Sequence, residues 1–261
     1  MRYFDSLRIL FYLFFFMFLT SSCYYNKRLV YLQDKHFSET KSTLVENKRT
    51  PYQLQTADVL SVQIKSSAEK EVSGIFNIST QNLMVANQGT LFLEGYSIDA
   101  SGKITLPILG ELIVKGLTVE EAQQFIQSNA NKYFNNAIVI VKLVSFKVTV
   151  LGEVKNPGYY FVYNNQATAL EALGMAGDLT TFGNRRNIKL LRQHISGTEV
   201  ILLDITKPDL LRSEYFYLKP GDVLYVEPLK ARSKRANLEL LSLVFAAITA
   251  AVLIFSYVNP K

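Results

Sequence analysis

Apolar residues follow different spacings in different parts of the chain. An unbroken apolar run covers residues 9–19, and an uncharged, largely apolar run covers residues 240–258. Between these runs, short stretches that alternate apolar and polar residues, typical of strands, stand beside stretches with the three- and four-residue spacing of helices. The pattern predicts a folded centre flanked by two apolar ends.

The first half of this centre is predicted to contain strands around one helix. Its predicted elements are a turn and strand at 52–62, a hairpin at 98–117, a helix from 119 to about 133, and one long or two joined strands at 137–150. Ser101-Gly102 and Gly110 supply the turn signals of the hairpin. Thr118 and Glu121 have the spacing of a capping box, which marks the start of the helix.

The second half of the centre has a similar plan. Its predicted elements are two strands around Pro157-Gly158, a short helix that ends around 174–177, and a strand pair at 185–192 and 199–203. Thr168 and Glu171 form a second capping box at the start of the short helix. Strand pairs that pack around one helix indicate an α+β fold of two small domains, here followed by a C-terminal transmembrane helix.

One stretch of the centre occurs twice, with matching apolar positions around a matching aspartate. Pro220-Gly221 predict a tight turn directly before Asp222 in the second copy, and Thr56-Ala57 precede Asp58 in the first. An aspartate side chain can bond the backbone of its own turn. Asp58 and Asp222, like the Pro157-Gly158 turn, are therefore interpreted as structural rather than catalytic.

The N-terminal apolar run has the features of a secretion signal. Arg2 and Arg8 flank its start, and small residues lead from its end to Cys23. At about 1.5 Å per helical residue the run reaches about 16 Å, well short of the ~30 Å hydrocarbon core of a bilayer. We expect a signal peptide at 1–22 and a tether at 23–50, with one short strand at 29–32. A lone cysteine such as Cys23 is usually a buried structural residue, but its position directly after an apolar run makes that interpretation less favoured.

The C-terminal run is long enough to cross a bilayer as a helix, predicted at about 238–258. Its small and polar residues form one helical stripe: Glu239, Ser242, Ala246, Thr249 and Ser256. The helix is either a plain anchor that packs on a neighbouring helix or one stave of a pore whose stripe faces water. A basic cluster lies just before it and is expected to rest against anionic head groups: Lys230, Arg232, Lys234 and Arg235.

Composition and charge narrow the class of function. The net charge is +6, but no basic stripe is interleaved with aromatic residues, so nucleic-acid binding is not expected. His36 and His194 are the only histidines and stand in unrelated contexts, so neither a zinc site nor a Ser-His-Asp triad can be assembled. We expect no catalytic residue, metal or cofactor. A glycan-cleaving enzyme that uses two scattered carboxylates is the alternative among enzymes.

Several motifs, in this order, resemble one protein family. The stretch IDASGKITLPILGELIVKGLTVEEAQQFI resembles the export domain of the polysaccharide export (Wza-type) outer-membrane lipoproteins. VTVLGEVKNPGYYFV, TALEALGMAGDL and YLKPGDVLYV resemble the soluble-ligand-binding β-grasp (SLBB) domain that follows it. LTSSC, ending at Cys23, is similar to a bacterial lipobox, with Thr20 where leucine is usual. This resemblance implies that Cys23 is the lipid attachment site, with a structural cysteine behind an ordinary signal as the alternative. Thr56-Ala57 stand where the family tends to have Pro-Gly, and Asp178 stands where a second glycine is common.

The resemblance implies an arrangement of domains and a function. It places a β-grasp-like export domain at 51–146 and an SLBB domain at 147–229. The basic cluster and the apolar C-terminal run then form a juxtamembrane segment with the transmembrane helix at 230–261. It implies a lipid-anchored outer-membrane protein with periplasmic domains that forms a homo-oligomeric ring for capsular or exopolysaccharide. Its implied partners are membrane lipid, the polysaccharide and an inner-membrane polysaccharide co-polymerase, often with a tyrosine kinase part.

The size of the ring is limited by the width of a glycan chain. Eight helices with axes ~10 Å apart would leave an opening of roughly 15 Å, whereas four would leave only about 4 Å. A glycan chain therefore requires a large ring, for which about eight subunits is one expectation. The alternative function is a membrane-anchored periplasmic glycan-binding scaffold without channel activity.

Overall fold

The computed structural model of the protein describes residues 29–35, 37–38, 40–65, 94–230, 243–250, 254 and 257–258. The chain divides into two compact units, residues 1–30 and residues 31–261, and every element below belongs to the second unit. Some residues singled out in the sequence lie outside the described residues: Cys23, His36, Arg232, Lys234, Arg235, Glu239, Ser242 and Ser256.

A small antiparallel sheet forms the first part of the fold, which we call the first module. Its elements are β1 Val59–Lys65, β2 Tyr96–Ser97, β3 Lys103–Leu106, β4 Gly110–Ile113, helix α1 Val119–Ala130 and β5 Ile138–Leu143. The strand order of the sheet is β2-β1-β5, and β3 and β4 form a separate hairpin. Helix α1 packs along β5 and buries its apolar stripe there, as its spacing predicts.

Glutamine side chains from α1 cover the outer edge of β5. Gln127 Oε1 accepts from the Val139 N–H at 2.8 Å, and Gln123 Oε1 accepts from the Val141 N–H at 3.1 Å. Gln127 Nε2 also donates to the Ala137 carbonyl at 2.6 Å. Because β5 pairs with β1 alone among the strands of the described residues, these bonds satisfy backbone groups that an edge strand would otherwise leave unpaired.

The second module is a five-stranded sheet with the order β10-β9-β12-β6-β7 and a smaller β8-β11 pair. Its bounds are β6 Lys147–Gly152, β7 Gly158–Phe161, β8 Ala167–Thr168, α2 Ala169–Met175, β9 Gly183–His194, β10 Gly197–Leu203, α3 Asp209–Arg212, a 3₁₀ turn Glu214–Phe216, β11 Tyr217–Leu218 and β12 Val223–Pro228. Strands β6 and β12 run parallel, with Val223 beside Thr149, and the other neighbours are antiparallel.

The fold class is α+β, as the spacing predicts, and the open alternative for residues 137–150 is settled. That stretch forms two strands, β5 and β6, that belong to different sheets. The joint between them is buried at Val144 and Phe146, and the buried side chains of both modules form one continuous cluster. The two modules therefore share a single hydrophobic core.

Both predicted capping boxes are confirmed. The Thr118 hydroxyl accepts from the Glu121 N–H at 3.2 Å, and the Glu121 carboxylate accepts from the Thr118 N–H at 2.7 Å. Thr168 and Glu171 make the same reciprocal pair at 3.1 and 2.7 Å. Helix α1 ends at Ala130, three residues before the predicted end.

Residues 31–33, predicted as part of the tether, lie on the second module. The Leu32 N–H donates to the Ile205 carbonyl at 3.0 Å, and the Gln33 N–H donates to the Thr206 carbonyl at 2.7 Å. The Tyr31 hydroxyl donates to the Asp178 carboxylate, and the Arg185 guanidinium lies 5.4 Å from the Tyr31 ring centre. The prediction of a regular strand at 29–32 is wrong, because two bonds attach this segment without forming a ladder.

The described part of the C-terminal run is helical at residues 243–250, 254 and 257–258, and residues 243–250 are all exposed. Thr249 donates its hydroxyl to the Phe245 carbonyl one turn earlier, at 2.8 Å. Within the described residues, no helix is both long and apolar enough to cross a membrane. The predicted transmembrane helix at about 238–258 stays a prediction.

Candidate functional site at the paired aspartate turns

The repeated stretch builds the same turn in both modules. Asp58 Oδ2 accepts from the Gln55 N–H at 2.8 Å, and Asp222 Oδ2 accepts from the Lys219 N–H at 2.7 Å. In return, the Asp58 N–H donates to the Gln55 carbonyl at 3.2 Å, and the Asp222 N–H donates to the Lys219 carbonyl at 3.1 Å. Each carboxylate thus closes its own turn, and the sequence match corresponds to a match in geometry.

The two turns differ at the residue that precedes the aspartate. Ala57 has a φ of 72° and Gly221 a φ of 85°, so both lie in the left-handed region. Glycine adopts this conformation without penalty, whereas a residue with a Cβ is strained there. The first turn therefore carries backbone strain that the second does not.

The second aspartate belongs to a buried ion pair. Arg192 donates from Nε to Asp222 Oδ1 at 3.0 Å and from Nη2 to Asp222 Oδ2 at 2.7 Å. The Asp222 side chain is 1% exposed and that of Arg192 6%. Arg192 also donates to the Tyr217 carbonyl at 3.3 Å and lies 5.5 Å from the Tyr215 ring centre. This two-pronged geometry satisfies both charges away from water.

The first aspartate is buried too, but its hydrogen bonds come from neutral hydroxyl and backbone groups. The Tyr52 hydroxyl donates to Asp58 Oδ2 at 2.9 Å, and the Ser145 hydroxyl lies 3.4 Å from Oδ1. Among the described residues, no lysine or arginine forms an ion pair with Asp58. Burial raises the pKa of Asp58, although the bonds from Gln55, Tyr52 and Ser145 oppose that shift.

Tyr52 connects the two turns electrostatically. Burial raises the pKa of its hydroxyl most strongly, and the negative charges of Asp58 and, to a smaller extent, Asp222 raise it further. The tyrosine is therefore held protonated as a donor. Further polar contact between the modules comes from Asn165, which donates to the Glu120 carboxylate at 2.9 Å.

An open cleft of about 590 Å³ lies beside the turns. Both turns line it, through Thr56-Ala57 and Pro220-Gly221, and so do Lys147, Tyr159 and Phe161. Sequence reasoning did not single out these last three residues. Lys147 begins β6, and Tyr159 and Phe161 are alternate residues of β7. The signal that could have found the two rings is their spacing of two residues, which places both side chains on one face of a strand.

The other described residues singled out in the sequence are not among those that line this cleft. Pro157-Gly158 lead into β7, and the neighbouring Asn156 N–H donates to the Ala176 carbonyl at 2.9 Å. Lys230 follows Leu229, whose N–H donates to the Phe182 carbonyl at 2.7 Å. Ala246 and Thr249 lie in the exposed helical segment. Within the described residues, no group of three or more histidine, cysteine or acidic residues could hold a metal ion.

Comparison with known families divides the chain at the joint between the modules. Residues 46–144 match the family model of polysaccharide biosynthesis/export proteins, and residues 146–226 match the SLBB domain. The chain therefore contains a polysaccharide biosynthesis/export domain followed by an SLBB domain. The resemblance inferred from the motifs is confirmed, and Ser145, which bonds Asp58, lies between the two matched stretches.

The chain is also similar to two curated proteins whose names state a role in polysaccharide export. The chain is 28% identical over 189 residues to the EPS I polysaccharide export outer membrane protein EpsA of Ralstonia nicotianae, and 28% identical over 194 residues to the protein of that name from Ralstonia solanacearum. Each match covers 69% of this chain and 48% or 49% of the relative. The chain thus spans about half the length of the curated relatives it matches.

Proposed function

We propose that this protein is the outer-membrane component of a channel for capsular or exopolysaccharide. The order of the export and SLBB domains carries the proposal, since relatives matched over 69% of this chain are named polysaccharide export outer membrane proteins. The decisive experiment is complementation of a host strain that lacks the protein. Surface polysaccharide should return with the intact chain, and its absence at normal protein levels would overturn the proposal.

Lipid attachment at Cys23 supplies the anchor in this proposal. A basic start, an apolar run and small residues before the only cysteine support it. Several acyl chains would hold the protein stably, whereas one chain binds only marginally. Cys23→Ser should lose labelling by a radioactive fatty acid and accumulate as the longer, unprocessed form. Equal labelling of the variant would contradict lipidation.

The channel is proposed to be a homo-oligomeric ring of about eight subunits with its main domains in the periplasm. Exposed apolar residues on the described C-terminal helix, such as Leu243 and Phe245, support burial in a membrane or against other copies. Protein extracted in mild detergent should run far above the monomer mass and give ring-shaped class averages. A folded monomer that restores no export would favour the alternative, a membrane-anchored glycan-binding scaffold without channel activity.

The C-terminal helix is proposed to span the membrane and to line the pore with its polar stripe. The Thr249 hydroxyl is satisfied within its own helix, so it tolerates either lipid or water. Thr249→Lys and Ile248→Lys form a matched pair because adjacent residues share a depth but point about 100° apart. A pore stave predicts that Ile248→Lys reduces ring yield more, since lysine in lipid costs about 2.5–3.5 kcal/mol. Equal damage would favour the plain anchor.

Partners and the absence of catalysis complete the proposal. The basic cluster from Lys230 to Arg235 is proposed to contact anionic head groups, and an inner-membrane polysaccharide co-polymerase with a tyrosine kinase part is proposed to deliver the glycan. Co-purification after crosslinking in intact cells tests the second contact. The rival enzymatic function predicts that purified polysaccharide is cleaved, whereas an export component should release no fragments from it.

A further inference from the structure

The cleft beside the paired turns has the dimensions of a ligand site. Its volume of about 590 Å³ falls within the range of ~300–1,000 Å³ that is usual for small-molecule and cofactor pockets. Its lining combines aromatic rings with hydroxyl, backbone and ammonium groups. Such sites hold a ligand on apolar surface and orient it with a few polar groups.

Two aromatic residues form one side of the cleft. Tyr159 and Phe161 are alternate residues of β7, so both rings lie on the same face of the strand. Their centres are 5.8 Å apart and their planes meet at 86°, an edge-to-face contact. Phe161 thereby holds the Tyr159 ring, which is 68% exposed. A large aromatic ring that is fixed and yet open to solvent can stack on the apolar face of a sugar.

The accessible charge of the cleft is positive. Lys147 lies directly opposite Phe161 in the β6–β7 register, so its side chain shares the face of the two rings. Among the described residues, no carboxylate forms an ion pair with Lys147. Asp58, the acidic residue of the lining, is only 7% exposed and already accepts bonds from Gln55 and Tyr52. The cleft therefore suits a ligand that carries negative charge.

We propose that this cleft binds a short segment of an acidic glycan. Tyr159 is the stacking platform for a sugar ring, and the Lys147 ammonium pairs with a uronate carboxylate. The choice of a glycan rests on the proposed export function, whereas the preference for an acidic one rests on Lys147. Because both turns line the cleft, the ligand would contact the export and SLBB domains at once.

The test measures binding of two oligosaccharides to the full chain in detergent by isothermal titration calorimetry. The probes are a hexamer of mannuronate, which is acidic, and maltohexaose, which is neutral. Tyr159→Ala should weaken both by at least about tenfold, because both lose the stacked ring. Tyr163→Ala is the control, since Tyr163 follows the same strand, is 78% exposed and does not line the cleft. Tyr159→Phe should retain binding and guards against loss through misfolding.

A second variant separates charge from stacking. Lys147→Gln should weaken the acidic probe several-fold and leave maltohexaose unchanged. The difference between variant and wild type should vanish near 1 M salt, where the screening length falls to about 3 Å. Equal effects on both probes would overturn the pairing with a uronate.

Three further outcomes would overturn the proposal. Neither probe binds the wild-type chain; Tyr159→Ala behaves like Tyr163→Ala; or Tyr159→Ala lowers the assembly mass while glycan affinity is kept, which makes this face a contact between subunits. Failure of the cleft is distinguishable from failure of the export function. A wild-type chain that restores surface polysaccharide but binds neither probe refutes only the cleft, whereas one that binds both without restoring polysaccharide refutes only export.

Discussion

Replacing each of the two aspartates of the repeated turn with asparagine should change stability by very different amounts. Asp222→Asn removes the charge that balances Arg192 in a pair that is almost fully buried. Breaking such a pair by removing one partner costs about 3–5 kcal/mol, because a buried charge is left uncompensated. For a protein of this size the melting temperature should fall by roughly 6–20 °C.

Asp58→Asn should change the free energy of unfolding at neutral pH by no more than about 1 kcal/mol. The asparagine oxygen can still accept from the Gln55 N–H and the Tyr52 hydroxyl, and its amide can donate to Ser145. Weaker bonds to a neutral acceptor are offset because no charge has to be buried without a cation. The same substitution at matching positions thus compares a buried carboxylate that pairs with an arginine with one that is held by neutral donors.

The pH dependence of the free energy of unfolding gives a second, independent test of Asp58. Because the pKa of Asp58 is raised in the folded protein, the fold binds its proton more tightly than the unfolded chain does. The associated stability is fully present below the ordinary pKa of aspartate and is lost as the pH rises through the raised value. As the pH rises from about 4, the ordinary pKa of aspartate, through the raised pKa of Asp58, the stability of Asp58→Asn should therefore increase relative to wild type.

Urea unfolding of both variants, followed by circular dichroism at several pH values, measures these differences. Equal destabilisation by the two substitutions would show that the ion pair adds nothing beyond closing the turn. A relative stability of Asp58→Asn that falls with rising pH would contradict the proposed environment of Asp58. Reversible, single-step unfolding has to be established first, since the free energies assume it.

Four further substitutions probe other contacts. Ala57→Gly should raise stability by about 0.5–1 kcal/mol by relieving a left-handed alanine, while Gly221→Ala should lower it by about 1 kcal/mol, both measured by urea unfolding. Burial and Asp178 raise the pKa of Tyr31 to about 12, so stability should fall as the pH rises from about 10 to about 12, and Tyr31→Phe should lose this fall in thermal melts. Gln127→Leu should cost about 1–3 kcal/mol by leaving the Val139 N–H unpaired, with exposed Gln124→Leu as the calorimetric control.

Local features of the fold could be predicted from the sequence because their determinants lie within a few residues. Thr118 and Glu121 need only each other and one helical turn to form a capping box. Asp222 closes its turn by a bond to a residue three positions earlier. Such contacts depend little on the rest of the chain, so spacing alone is sufficient evidence.

Long-range pairing could not be predicted from the same spacing. The β-branched residues at 137–150 indicate extended chain, but nothing in them shows that β5 joins one sheet and β6 another. Arg192 stands in a predicted strand, yet its buried partner Asp222 lies 30 residues later. Attachment of Tyr31 to Asp178 spans 147 residues. These contacts depend on the packing of distant segments, which periodicity does not encode.

The candidate site depends both on local turns and on long-range packing. The sequence therefore predicted its two turns but not the cleft at which they meet. The repeated motif marks the two turns, whereas their meeting at one cleft requires the short buried joint through Ser145. Because Val144 and Phe146 on either side of Ser145 are buried, the joint is packed rather than a free linker. A ligand between the turns would therefore act on two modules that share one core, so its binding energy could not be used to swing one module as a hinge without breaking that core. Any coupling between glycan binding and export should instead pass through small shifts at the turns or through contacts with neighbouring copies.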